Sequence, residues 1–162
     1  MRDIFASRHL TLGLKKRMVK CYVWSTLLYG CETWTLTTEL ENKLKAFEMW
    51  IYRRMFRISY MDKITNDEVL QRAKAKRQLI SVIRDRKMRY FGHLVRRNEL
   101  QRLLLDGKVE GKRRKGRQRL CWVFEIQKWT SMKYQSCIRM AEDRTAWRAM
   151  VAHVRNGPGT ND

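Results

Sequence analysis

Proline is almost absent from this chain, and its apolar residues recur at helical spacing. The only proline among the 162 residues is Pro158, so no candidate helix contains one. A proline inside a helix removes a backbone hydrogen bond and clashes with the preceding turn, so its absence permits long helices. Between Leu10 and Val95 the apolar positions largely follow the helical period. The sequence therefore predicts a mainly α fold.

The apolar spacing predicts three long helices in the first half. They are expected over about 11–29, ended by Gly30, then over about 38–58 and about 78–97. Between the last two, Thr65 and Glu68 have the spacing of a capping box, which predicts the start of a short helix.

The second half begins with a change of composition. The leucines Leu103 to Leu105, followed by three glycines among basic residues, predict a short β-hairpin leading into a basic loop. Helical spacing then returns, and Trp122, Trp129 and Trp147 are expected in the core. We divide the chain into a helical part (1–60), a helical continuation with a basic face (61–100), a basic glycine-rich hairpin or loop (101–120), C-terminal helices (121–155) and a disordered tail (156–162).

The charge of the chain favours polyanionic partners. The 36 Lys and Arg against 16 Asp and Glu give a formal net charge of +20, while 44% hydrophobic residues and six tryptophans indicate a folded basic protein. Such a surplus attracts nucleic acid. A solvated basic surface without a dedicated partner is the alternative.

Candidate nucleic-acid contacts fall in three groups. The densest is a glycine-flanked run, which also fits a localisation signal or a solvated charge run: Lys112, Arg113, Arg114, Lys115, Arg117 and Arg119. The second is a stripe on the third helix, with the apolar residues Ile80, Ile83, Phe91 and Leu94 opposite it: Arg86, Arg89, His93 and Arg97. In the third, Arg53, Arg54 and Arg57 accompany Trp50, which is a candidate for base stacking.

The residue types needed for catalysis do not cluster in the sequence. The aspartates are scattered with no two adjacent, and the four cysteines fall singly, without a zinc-binding spacing. We therefore predict no catalytic residue, no bound metal, no cofactor and no small-molecule substrate. No apolar run approaches the roughly 18 residues of a membrane span, so we expect an intracellular protein, nuclear or cytoplasmic, without a membrane partner.

Four segments together resemble the C-terminal part of LINE-type (non-LTR) retrotransposon endonuclease/reverse transcriptase polyproteins. In chain order they are LYGCETWTL (Leu28 to Leu36), AFEMWIYRRMFRIS (Ala46 to Ser59), YFGHLVRR (Tyr90 to Arg97) and GKVEGKRRKGRQRLCW (Gly107 to Trp122). The likeness continues through Asp143-Arg144 and Trp147-Arg148 and covers nearly the whole chain. Tyr60 stands where the family more often has tryptophan, so it is a second candidate for base stacking.

The resemblance implies a thumb-like helical bundle that packs against a template–primer duplex, followed by a basic segment. The family's endonuclease and its palm, with the paired aspartates that hold Mg²⁺, would lie upstream, so the chain is expected to be no enzyme in isolation. Three interpretations stay open. The chain is a module that binds RNA or DNA with low sequence specificity, a fragment that complements a separate palm polypeptide, or a non-functional relic.

Overall fold

The structure, a computed structural model, describes residues 5, 7, 9–97, 100–105 and 121–156. Within these residues every regular element is helical, which confirms the mainly α fold. The elements are α1 (Leu12–Met18), a π-helical segment (Val19–Trp24), α2 (Ser25–Leu27), a 3-10 turn (Cys31–Thr33), α3 (Thr38–Phe56), a second 3-10 turn (Tyr60–Asp62), α4 (Asn66–Ala73), α5 (Leu79–Arg96), α6 (Leu100–Leu105), α7 (Trp122–Thr130), α8 (Tyr134–Glu142) and α9 (Arg144–Asn156).

Side-chain hydrogen bonds cap the starts of several helices, and residues with a left-handed backbone conformation follow their ends. The Thr37 hydroxyl accepts the Leu40 amide at 3.1 Å at the start of α3. The capping box predicted at Thr65 and Glu68 is confirmed, because each side chain accepts the other residue's backbone N–H. Gly30, with φ of 64°, follows the first helical run as predicted, and Arg57 ends α3 in the left-handed region.

The strand predicted at Leu103 to Leu105 is wrong, because these leucines lie in α6. Leucine is a strong helix former, and three successive leucines show neither a helical period nor a strand period. Arg102 on the same helix donates to the Val95 carbonyl at 3.1 Å, and this hydrogen bond connects α6 to the last turn of α5. Asn156, predicted to begin the disordered tail, is instead the last residue of α9. The rest of the predicted hairpin and the rest of the predicted tail, 157–162, lie outside the described residues.

The chain forms two compact units. Unit 1 comprises Met1–Cys31 and Thr37–Ser81, and unit 2 comprises Glu32–Leu36 and Val82–Asp162. In unit 1, α3 packs against α4 and buries one face, which includes Leu44, Glu48 and Ile51. Val69 and Ala73 of α4 are fully buried.

The core of unit 2 forms where α7, α8 and α9 pack together with the part of α5 that belongs to this unit. Its centre includes Met88, Phe91 and Ile126, and the buried Trp147 donates its indole N–H to the Met88 carbonyl at 2.8 Å. Trp147 is therefore a core residue, as predicted, while Trp122 and Trp129 are partly buried and pack against this core.

Candidate nucleic-acid interface

Trp50 and Arg54 form a solvent-exposed aromatic and cationic pair on α3. The indole of Trp50 is 49% exposed and stacks on Phe47, with ring centroids 6.0 Å apart and an interplanar angle of 15°. One helical turn further on, the Arg54 guanidinium lies 5.3 Å from the indole centroid. About half of the Trp50 side chain is thus in solvent, beside the positive charge of Arg54.

Arg53, predicted to contact nucleic acid, makes two hydrogen bonds to the segment that follows α3 in the chain. Its guanidinium donates to the Ile64 carbonyl at 2.6 Å and to the Asn66 amide oxygen at 3.1 Å. Both bonds come from Nη2 and connect α3 to the loop before α4 and to the first residue of α4. Arg54 and Arg57, by contrast, are exposed.

Tyr60 lies on a short turn that is capped at its start. The Ser59 amide donates to the Asp62 carboxylate at 2.6 Å, and the Ser59 hydroxyl accepts from the Met61 amide at 3.4 Å. The turn leaves Tyr60 93% exposed and Met61 82% exposed. Both side chains are therefore accessible to a partner.

The basic stripe predicted on α5 lies in unit 2 and is partly neutralised. Arg86 pairs with Glu32 at 3.9 Å, and Arg89 pairs with Asp85 at 2.8 Å. His93 and Arg97 are exposed at the end of the stripe. The acidic partners reduce the positive charge that this face offers to a phosphate backbone. The densest predicted group, Lys112 to Arg119, lies outside the described residues.

A buried lysine in unit 2 was not predicted. Lys87 on α5 is fully buried, forms an ion pair with Glu125 of α7 and donates to the Trp34 carbonyl at 2.5 Å. Its ammonium lies 5.1 Å and 5.6 Å from the ring centroids of Trp122 and Trp129. The Leu36 amide donates to the other Glu125 oxygen, so the cluster connects 34–36, α5 and α7. The role of this site is structural.

A buried carboxylate in unit 1 was not predicted either. Glu48 on α3 accepts the amides of Gln78 and Leu79, at 2.8 Å and 3.3 Å, where α5 begins. Burial raises the pKa of the Glu48 carboxyl above its usual range, although these two hydrogen bonds, Arg77 and Lys20 oppose the shift. Burial, with a smaller contribution from Glu48, also raises the pKa of Tyr52.

The described residues include neither a metal-ligand cluster nor a membrane-spanning helix. In this part of the chain no three His, Cys, Asp or Glu side chains come together as a metal site. None of the helices described is both long and apolar enough to cross a lipid bilayer. All four cysteines are free thiols; Cys31 and Cys137 are buried, whereas Cys21 and Cys121 are exposed.

The chain has no significant match to a protein-family profile, a curated protein or a solved structure.

Proposed function

We propose that this chain binds RNA or DNA through phosphate contacts and base stacking, with low sequence specificity. The proposed origin is the C-terminal, post-palm part of a LINE-type reverse transcriptase, in keeping with the sequence resemblance. In this role the chain is not an enzyme on its own, and a Mg²⁺ site would belong to the palm of the full-length enzyme. The proposed place of action is the nucleus or the cytoplasm.

The observation that carries the proposal is the exposed Trp50 with Arg54 over its ring. Most tryptophans bury their indole, whereas Trp50 is 49% exposed, and a base would stack where Arg54 now lies over the ring. Proteins that bind single strands combine exposed aromatic rings with positive charge, because every base has a face that stacks. The net charge of +20 supplies the positive charge that attracts the phosphates.

The test is the affinity of the purified chain for single-stranded RNA, measured by fluorescence anisotropy. Base–aromatic stacking contributes about 1–3 kcal/mol per base, so we expect Trp50→Ala to weaken binding by that amount. Arg54→Ala is expected to weaken binding less, as the loss of one phosphate contact.

Matched controls remove an exposed aromatic and an exposed arginine elsewhere. Phe124, 58% exposed on α7, and Arg148, exposed on α9, serve this purpose as Phe124→Ala and Arg148→Ala. We expect both controls to bind RNA nearly as tightly as the original chain. If Trp50→Ala and Phe124→Ala bind equally well, base stacking at Trp50 is excluded; if the original chain also fails to bind RNA, a relic without function becomes the better account.

A palm-containing polypeptide is the second proposed partner. Three apolar side chains near the first helical run are exposed, at 43% for Leu14, 62% for Tyr22 and 87% for Tyr29, and exposed apolar surface is typical of protein contacts. Mixing the chain with a palm polypeptide is expected to increase primer extension above that of the palm polypeptide alone. No increase would exclude this role.

A further inference from the structure

A cavity of about 230 Å³ lies within unit 1. Its apolar wall comes from the π-helical segment, through Val19 and Trp24, and from α3, through Ile51, Tyr52 and Met55. Sites for drug-sized ligands measure about 300–1,000 Å³, so this cavity suits a smaller group such as a single base. Two of its wall residues, Trp24 and Tyr52, are aromatic, which favours a flat ring as the occupant.

Two residues that line the cavity carry buried polar atoms without a partner. Glu48 is 2% exposed and Trp24 is 8% exposed. Among the described residues, neither the Glu48 Oε2 acceptor nor the Trp24 Nε1 donor has a hydrogen-bond partner. The other Glu48 oxygen accepts the Gln78 and Leu79 amides, so the carboxylate is fixed in place with one oxygen unused. A ligand that offers both a donor and an acceptor would satisfy both atoms.

Basic residues dominate the charged part of the cavity lining. Lys16, Arg17, Lys20 and Lys74 line it, against the single carboxylate of Glu48 among the lining residues described. Lys20 Nζ is held at 3.1 Å from the Gln78 side-chain oxygen, and Lys16 donates to the Ala73 carbonyl at the end of α4. This excess of positive charge favours an anionic ligand over a neutral or cationic one.

We propose that this cavity binds the adenine base of a nucleotide, with the base amino group donating to Glu48 Oε2. A ring nitrogen of the base accepts from Trp24 Nε1, and the phosphate lies near Arg17 and Lys74. Adenine fits because its amino donor and its N7 acceptor are adjacent on one edge of the ring, whereas the amino group of guanine lies on the opposite edge from N7. The proposal rests on the proposed function, since a bound strand would supply the base, although a free nucleotide offers the same chemistry.

The experiment follows the indole N–H resonance of Trp24 by NMR, assigned through its loss in Trp24→Phe. We expect AMP to shift this resonance and to bind about tenfold more tightly than UMP, which lacks an amino group. Ribose 5-phosphate should leave the resonance in place. A single-stranded oligoadenylate that also shifts it would identify the strand as a source of the base. No shift with either AMP or the oligonucleotide would overturn the proposal.

Two variants connect binding to the named residues. Glu48→Gln keeps an oxygen for the Gln78 and Leu79 amides but replaces the unused acceptor with a donor, so AMP affinity should fall about tenfold. Arg17→Gln, an exposed change, should weaken AMP binding and leave the thermal midpoint unchanged. Wild-type AMP affinity in both variants would overturn the proposal.

Trp50→Ala separates this proposal from the proposed function. That variant should lose RNA affinity while its AMP affinity stays unchanged, because Trp50 does not line the cavity. RNA binding that depends on Trp50, without any AMP binding, would leave the proposed function in place and reject the cavity site.

Discussion

Lys87 and Glu48 are charged residues at positions in phase with the buried apolar residues of their helices. Lys87 lies four residues from both Ile83 and Phe91, and Glu48 lies four residues after Leu44, so helical spacing places both on the buried faces. The sequence thus contained a signal for both, which their charge obscured. Their partners had no such signal, because Glu125 is 38 residues and Trp34 is 53 residues from Lys87 in the chain.

We expect Lys87→Met to lower the free energy of unfolding by about 3–5 kcal/mol, since it leaves a largely buried carboxylate unpaired. The measurement is urea unfolding followed by circular dichroism. The double variant Lys87→Met with Glu125→Gln removes both charges and keeps an acceptor for the Leu36 amide, so it should lose less stability than the single variant. A double variant less stable than Lys87→Met alone would contradict this account of the ion pair.

Arg53 shows why site residues are harder to predict than helices. In sequence it is indistinguishable from Arg54, since both lie on α3 beside Trp50. Their contacts differ only because the loop before α4 brings the Ile64 carbonyl to Arg53, while the Trp50 ring lies beside Arg54. Such a tertiary contact has no local sequence signal.

At the scale of elements, local signals predicted helix starts and ends well. The capping box at Thr65 and the left-handed Gly30 depend on residues within one or two turns, so the sequence contains all the information needed. The strand predicted at Leu103 failed because a short leucine run has no period. The π-helical segment was missed, since its apolar spacing resembles that of an ordinary helix.

Gly92 on α5 permits the close packing of Trp147. A Cβ atom at this position would come within 2.5 Å of the Trp147 indole nitrogen, closer than such atoms approach in real structures. The indole is buried and hydrogen-bonded to the Met88 carbonyl, so it has little room to move.

We expect Gly92→Ala to destabilise the protein by about 1–2 kcal/mol, because overpacking outweighs the higher helix propensity of alanine. Gly13→Ala on α1 is the matched control, since a Cβ there meets nothing within 4 Å. Alanine at position 13 should raise the thermal midpoint, whereas alanine at position 92 should lower it. Equal midpoints for the two variants would contradict the packing described around Trp147.

At the scale of the whole molecule, charge is the property that the sequence reports most directly. The surplus of +20 needs no fold to be counted, and it favours a polyanionic partner. The fold reduces the positive charge that can contact a phosphate, because Arg86 and Arg89 form ion pairs with acidic residues and Lys87 is buried. The run Lys112 to Lys115 contains no acid, so we expect it to make the largest share of the proposed phosphate contacts.

The most direct test of nucleic-acid binding is the salt dependence of RNA affinity when this run is neutralised. For single strands the log–log slope is about −0.7 per phosphate neutralised, so changing Lys112, Arg113, Arg114 and Lys115 to alanine should flatten it by about 3. The matched control changes four exposed arginines of α8 and α9 to alanine, with a smaller expected effect: Arg139, Arg144, Arg148 and Arg155. A slope that stays the same after neutralisation of 112–115, or that flattens equally in the control, would contradict the central claim.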